Sequence, residues 1–363
     1  MATDLIVVFL VTFLLSWAGS TLMRRYAISR AILDMPNARS SHVIPTPRGG
    51  GVAFVFSFLI GLLSFRLLGH VDPFLRVAMG LGGGIVALVG FRDDRKPLSI
   101  KVKLFWHFLA AGIAVTALGG WPTLALGHLD VSWGFFGYLI GIPALVWAIN
   151  LYNFMDGIDG LAISEAIFLS LASALLIFME GGSSLEPLLL AAVCLGFAFL
   201  NWPPAKLFMG DAGSGFLGFI FGVIALDSTS GLETTIWPWL ILPAVFVVDA
   251  SYTLIRRMLT GQRWYEAHCS HAYQHAAQRF GSHRRVTLAT QFINVCWLLP
   301  LACAAQYWPD WGALVALVAW APLLVLANRL KAGLPESQAR TLDNETSLSP
   351  VYAEGQAGVE LHA

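Results

Sequence analysis

Apolar residues come in long runs along this chain, separated by short polar segments. Eleven runs stand out, near residues 5–23, 50–68, 74–91, 104–120, 134–151, 161–179, 186–201, 213–228, 236–255, 287–306 and 311–328. About 20 apolar residues at a helical rise of 1.5 Å cross roughly 30 Å of hydrocarbon. Lipid offers no partner to backbone N–H and C=O groups, so each run is expected to be a helix. The pattern predicts an all-α, polytopic integral membrane protein of about 11 transmembrane helices. Residues 1–335 read as one transmembrane domain, and residues 336–363 as a polar, disordered tail. No internal repeat is visible.

Composition agrees with the pattern. The chain is 57% hydrophobic and only 12% charged, far from the balance of a soluble domain of this length. Its formal net charge is zero, which leaves no bulk attraction for nucleic acid. The four cysteines form no CxxC pair and three lie in apolar runs, so buried thiols are expected, not a disulfide framework. The first run carries Asp4 and lacks a basic flank before it, which reads as an uncleaved first span.

Charge then orients the chain. Twenty of the 22 Lys and Arg residues fall in the loops after spans one, three, five, seven and nine or in the tail. Arg66 and Arg76 alone fall on the other side. The positive-inside rule therefore places the N-terminus in the periplasm and the C-terminus in the cytoplasm.

Every acidic cluster maps to that same cytoplasmic side. Asp93 and Asp94 end the third run, beside Arg92, Arg95 and Lys96, with Lys101 and Lys103 downstream. Adjacent carboxylates repel unless a cation or proton separates them. Asn150, Asn153, Asp156 and Asp159 follow at three-residue spacing. Gly157 and Gly160 suggest that the helix ends there and gathers these groups around a cavity. Asn201, Lys206, Phe208 and Asp211 lead through a Gly-rich loop into the eighth run. Asp211 reads either as a helix cap or as a ligand to Mg²⁺, which typically takes one or two carboxylates and keeps room for phosphate oxygens. His268, His271 and His275 would share a face if helical, and suit a diphosphate better than zinc. Asp249 lies in the ninth run and is expected to pair with Arg256 or Arg257.

Five stretches in order, including Pro45-Thr-Pro-Arg-Gly-Gly50, Asp93-Asp94, Asn150-x-x-Asn-x-x-Asp-Gly-x-Asp-Gly-Leu161, Phe208-Met-Gly-Asp-x-Gly-Ser214 and the histidine loop, resemble the polyprenyl-phosphate N-acetylhexosamine-1-phosphate transferase family. The resemblance runs from about residue 39 to 285. His268-Cys-Ser-His271 departs from the consecutive histidines of the MraY-type peptidoglycan branch. It is similar instead to the O-antigen-initiating (WbpL-like) branch. The family implies a bacterial inner-membrane enzyme, often a homodimer, with Mg²⁺ (or Mn²⁺) at a cytoplasmic cleft. Its substrates would be a UDP-N-acetylhexosamine and undecaprenyl phosphate, with UMP released.

By the same resemblance Asp211 would hold the metal, and Asp93 and Asp94 would orient or deprotonate the lipid phosphate or attack covalently. Asn153 and Asp156 would line the nucleotide site. Asp159 and Asn201 would bond uracil, with Phe208 stacked on it. His268 and His271 would meet the diphosphate, with Lys101 and Lys103 as further phosphate partners. Two rivals are a MraY-type peptidoglycan-precursor transferase and a secondary transporter for an anionic solute. A CDP-alcohol phosphotransferase lacks support, because its Asp-Gly-x-x-Ala-Arg block is absent.

Overall fold

A computed structural model describes residues 2–36, 44–70, 72–126, 129–231, 234–263, 265–266 and 268–334. The tail expected over 336–363, and Arg39 at the start of the resemblance, lie outside the described residues. All eleven apolar runs are helical, and the protein is a polytopic all-α membrane protein. The helices are α1 (Ala2–Ser29), α2 (Gly51–Leu67), α3 (Pro73–Arg95), α4 (Ile100–Ala117) and α5 (Phe136–Phe154). Then come α6 (Leu161–Met179), α7 (Leu185–Asn201), α8 (Gly210–Ser230), α9 (Ile236–Ile241) and α10 (Ala244–Leu259). The short α11 (Ala272–Phe280) precedes α12 (His283–Tyr307) and α13 (Gly312–Arg329).

Among the described residues, eight helices are long and apolar enough to cross a membrane. Three of the eleven expected spans deviate. Helices α2 and α7 are shorter apolar helices. The ninth run is split, because Pro243 has no N–H with which to continue α9 and instead begins α10. The described residues also form two two-stranded pairings, β1 (Leu33–Asp34) with β2 (Thr46–Pro47) and β3 (Leu124–Leu126) with β4 (Leu129–Val131).

Helix α8 is the axis of the bundle, packed against α2, α3 and α5 and mostly buried. Its small residues allow that. A Cβ on Gly213 would meet the backbone of Gly51 in α2, and one on Gly218 would meet the carbonyl of Ala148 in α5. In membranes, where lipid competes equally for apolar surface, such close approach and the dispersion contacts it permits hold helices together. Outer helices expose their apolar faces, as with Ile6 and Leu10 on α1 and Leu317 on α13. Those faces suit lipid as solvent.

The close approach matters most where α3 ends against the start of α8. A Cβ on Gly90 would lie 2.5 Å from the Asp211 backbone. Gly90→Ala gains roughly 0.5–1 kcal/mol of helix propensity but incurs an overpacking cost of roughly 1–3 kcal/mol. We expect the variant to melt at a lower temperature in detergent and to lose activity. An unchanged or raised melting temperature would show that this contact yields easily.

Candidate active site

The site begins where two loops are zipped together. Phe208 N–H donates to Pro47 O at 2.8 Å, while Gly49 and Gly50 N–H donate to Phe208 O at 3.1 and 2.8 Å. Gly51 N–H reaches Met209 O at 2.9 Å. Gly49 at φ +101° permits the turn, and a side-chain-bearing residue would be strained there. The zipper carries Arg48 to the N-terminus of α8.

There Arg48 Nη2 bridges two carboxylates, 2.8 Å from Asp94 Oδ1 and 2.8 Å from Asp211 Oδ1. The other oxygen of Asp211 faces Lys103 Nζ at 3.5 Å, and the same ammonium contacts Asp93 Oδ2 at 2.9 Å. Three carboxylates are thus interleaved with two cations. Asp94 also caps α8, accepting from Asp211 N–H at 2.9 Å and Ala212 N–H at 3.3 Å. It thereby places a negative charge on the positive end of the helix dipole. Asp93 Oδ1 accepts Leu98 N–H at 2.6 Å. Burial works against the Arg48 charge, but Asp94 and Asp211 outweigh it and raise its pKa.

Beside this network lies a cavity of about 220 Å³. Six of the expected site residues line it: Asn153, Asp156, Asp159, Asn201, Phe208 and Asp211. Asn153 Nδ2 donates to Ser214 Oγ at 2.9 Å, which ties the end of α5 to α8. Asp159 Oδ2 accepts Ala205 N–H at 3.0 Å, and Asn201 Nδ2 donates to Leu207 O at 3.1 Å. Both therefore shape the 201–209 loop that presents Phe208. Asn201 Oδ1 is buried without a partner among the described residues. Burial pushes the Asp156 carboxyl well above the usual carboxylate range; Arg48 opposes this, and Asp211 and Asp94 add to it.

Other expected residues stand apart. Asp93, Asp94 and Lys103 are joined to the cavity through Asp211 and Arg48. Lys101 is exposed on the first turn of α4 and joins neither group among the described residues. His268 and His271 do not line the cavity. Their rings lie 4.9 Å apart, and burial, with His271 beside it, pushes the His268 imidazole down to about 3, so it is neutral. The expected helical face of three histidines does not form. His268 precedes α11, His271 caps it, and His275 donates to Leu330 O at 2.8 Å.

The expected pairing of Asp249 with Arg256 or Arg257 is also corrected. Those arginines lie two turns along α10, roughly 10 Å away by helical rise. Asp249 instead accepts Ala272 and Tyr273 N–H at 2.9 Å each and faces His271 Nδ1 at 3.3 Å. A buried helix start demands acceptors, and Asp249 supplies them. Arg257 turns to Gln262 Oε1 at 2.8 Å.

Four cavity residues were not picked out as site residues from the sequence: Asp34, Arg48, Gln274 and His283. Arg48 lay in the Pro-Thr-Pro-Arg-Gly-Gly segment, where proline and glycine read as loop chemistry. His283 gave no signal, yet its Nδ1 sits 3.3 Å from Asp159 Oδ1.

Among the described residues no group of three or more His, Cys, Asp or Glu forms a metal cage. Mg²⁺ does not need one, since it is commonly held by one or two carboxylates plus phosphate oxygens and water. Asp211, at a cavity wall and with its side chain 20% exposed, fits that pattern.

Fold and site together define a membrane-embedded protein whose carboxylates, cations and helix N-terminus are arranged to handle an anionic substrate. Glycosyl transferase family 4 matches residues 76–229, a stretch holding Asp93, Asp94, Asp156, Asp159, Asn201 and Asp211. The chain is 31% identical over 304 residues to a Bacillus subtilis (strain 168) protein named a probable undecaprenyl-phosphate N-acetylglucosaminyl 1-phosphate transferase, covering 80% of this chain and 82% of the relative. It is 32% identical to the Yersinia pestis undecaprenyl-phosphate alpha-N-acetylglucosaminyl 1-phosphate transferase, over 77% of this chain and 78% of that one. A Mycolicibacterium smegmatis decaprenyl-phosphate N-acetylglucosaminephosphotransferase is 29% identical over 78% of each chain. The chain belongs to glycosyl transferase family 4.

Arg48 is expected to be indispensable. Removing it leaves Asp94 and Asp211 facing each other with one cation fewer. Loss of one partner of a partly buried charge network costs about 1–3 kcal/mol, discounted here for the partial exposure of Arg48. Arg48→Ala should lower both melting temperature and turnover, and Arg48→Lys should restore stability better than turnover, because it lacks the planar fork. Wild-type turnover in Arg48→Ala would remove the arginine from the site.

Proposed function

We propose that this protein transfers N-acetylhexosamine 1-phosphate from a UDP-sugar to undecaprenyl phosphate and releases UMP. The reaction would take place at the cytoplasmic face of the bacterial inner membrane and initiate lipid-linked O-antigen or a related surface polysaccharide. The observation that carries this reading is the Asp94–Arg48–Asp211–Lys103–Asp93 network at the head of α8, opening on a polar cavity. The names of the relatives support it, and the charge asymmetry supports a cytoplasmic position for this end of the bundle.

The step balances without an added base. An oxygen of the lipid phosphate dianion attacks the sugar-bearing phosphorus, the P–O bond to UMP breaks, and UMP leaves with the electron pair. Phosphoryl transfer of this kind depends on positioning and charge neutralisation. Arg48 and Lys103 supply fixed positive charge beside the reacting phosphates. Mg²⁺, or Mn²⁺, held by Asp211 would neutralise charge on the phosphate oxygens. Phe208, in the cavity wall, would stack on uracil, and Asn201 Oδ1, without a partner among the described residues, would accept an N–H donor.

The geometry favours direct attack over a covalent intermediate. Both oxygens of Asp94 accept backbone N–H groups of α8, and both oxygens of Asp93 are engaged by Leu98 and Lys103. Each of these four oxygens already accepts at least one hydrogen bond, which blunts it as a nucleophile. Labelled UMP should therefore exchange into UDP-sugar only when lipid phosphate is present. Exchange without lipid, lost in Asp93→Asn or Asp94→Asn, would establish the two-step route.

The reading as a whole is tested by incubating membranes with undecaprenyl phosphate and a panel of UDP-N-acetylhexosamines and 6-deoxy derivatives. A lipid diphosphosugar found by mass spectrometry, with UMP in equal amount, is expected for at least one sugar. Uptake of a labelled solute into proteoliposomes with no UMP release would point to a transporter instead. Asp211→Asn should lower turnover by about 10²-fold or more while weakening Mn²⁺ binding seen by electron paramagnetic resonance. Unaltered Mn²⁺ binding would reassign the metal ligand.

A further inference from the structure

Helix α12 meets the start of α6 along one polar face. At the first residue of α12, His283 Nδ1 sits 3.3 Å from Asp159 Oδ1, and the Asp159 backbone N–H points at the same nitrogen, also at 3.3 Å. One turn on, Thr287 Oγ1 donates to Asp159 O at 3.2 Å. Seven residues further, Asn294 Nδ2 donates to Glu165 Oε2 at 2.5 Å, and both of these residues are fully buried. Intervals of four and seven residues keep His283, Thr287 and Asn294 on one helical face. Their partners all fall between Asp159 and Glu165, in the turn into α6 and its first turns. The face is thus held in register along its length, and its N-terminal end is delivered to the polar cavity, whose wall includes both His283 and Asp159.

Asp159 is thereby braced from two sides. Its Oδ2 accepts Ala205 N–H at 3.0 Å, inside the 201–209 loop that presents Phe208. Its Oδ1, N–H and C=O face α12. The path His283–Asp159–Ala205 therefore links α12 to the aromatic platform. One ring nitrogen serves the contact in either of two ways. With its lone pair Nδ1 accepts the N–H; with a hydrogen it donates to the carboxylate. Both ways hold the ring against Asp159, and both use Nδ1. His283 and Thr287 lie outside residues 76–229, so this brace reaches the site from a part of the chain that the family match does not cover.

We propose that His283 is a positioning residue for the donor: acting through Asp159 by way of Nδ1, it fixes the 201–209 loop and with it the ring on which the nucleotide base rests. The proposal rests on the transferase reading and adds to it a part of the donor site supplied by α12. Its consequence is a split between substrates. The brace belongs to the wall that carries Phe208, whereas Asp93, Asp94 and Lys103 stand outside that cavity and join it through Asp211 and Arg48. Losing the brace weakens the hold on the donor and leaves the acceptor and the chemical step in place.

The test uses the full-length protein in detergent with His283→Ala, His283→Asn and His283→Gln. An Asn amide lies where Nδ1 lay and can accept or donate; a Gln amide reaches the place of Nε2. The KM for the UDP-sugar should rise about tenfold in His283→Ala and His283→Gln and return to within about threefold of wild type in His283→Asn. Over the same series kcat and the KM for undecaprenyl phosphate should move less than about twofold. Rescue by Gln in place of Asn would show that the ring meets the ligand directly through Nε2 and would overturn the assignment, as would a fall in kcat at unchanged donor KM. The comparison of Asn with Gln decides the matter where the alanine variant melts too low to assay. In an Asp159→Ala background, His283→Ala should add less than about twofold, and an undiminished rise would show that His283 acts independently of Asp159. A binding arm needs no turnover: UMP, titrated by calorimetry, should bind the wild type about tenfold more tightly than His283→Ala or His283→Gln. Equal UMP affinity in the wild type and all three variants overturns the inference and leaves the transferase reading standing. UMP binding to none of them, with no lipid product from any sugar, sinks the transferase reading and this role with it.

Discussion

One guanidinium holds the site together. Three aspartates converge where α3, α4 and α8 meet, and like charges so close would shift their protonation or force the helices apart. Arg48 at 2.8 Å from both Asp94 and Asp211 offsets part of that repulsion, with Lys103 on the far side. Arg48 follows the two-residue strand β2, and the zipper to Phe208 fixes its position. The same zipper places the Phe208 ring on the polar cavity. Charge balance, loop conformation and aromatic platform are therefore one structural event, and a change in any of them reaches the others.

The glycines make that event geometrically possible. Gly90 lets the end of α3 lie on the backbone of Asp211, and Gly210 takes φ +72° directly beneath the Asp94 carboxylate. Asp94 can cap a helix to which it does not belong because no side chain intervenes. A cap from within the chain's own α8 would have left Asp94 free and Arg48 with one partner. The close packing that membranes use for cohesion serves here to bring the Asp94 carboxylate within hydrogen-bond reach of a helix start.

Much of this was readable from sequence, for identifiable reasons. Apolar runs depend on composition over 20 residues and so survive any error in local detail. The acidic clusters stood out because charge near a bilayer is costly. Lys101 and Lys103 could have been separated by helical geometry alone, since residues two apart point to different faces, and only Lys103 turns inward. The shared histidine face was conditional on a helix through all three residues, and the helix begins only at Ala272, with His271 as its cap. The partner of His283 was beyond reach, since it lies 124 residues away and no local pattern records it, whereas Arg48 stood in a resembling motif without a role of its own.

Asp156 shows what pairing does by its absence. Asp93, Asp94 and Asp211 each touch a cation, whereas no side-chain partner of Asp156 is found among the described residues. Arg48 acts on it only through space, and burial prevails, raising its pKa well above the carboxylate range. The carboxylates bound to cations accept hydrogen bonds from them, and burial favours the protonated form of the unpaired one in the cavity wall. The proposed phosphate-bearing ligand would meet both kinds at once, with cations able to donate to its oxygens and a carboxylate able to hold a metal. Acids of one residue type are divided into different chemical roles by which of them Arg48 and Lys103 can reach.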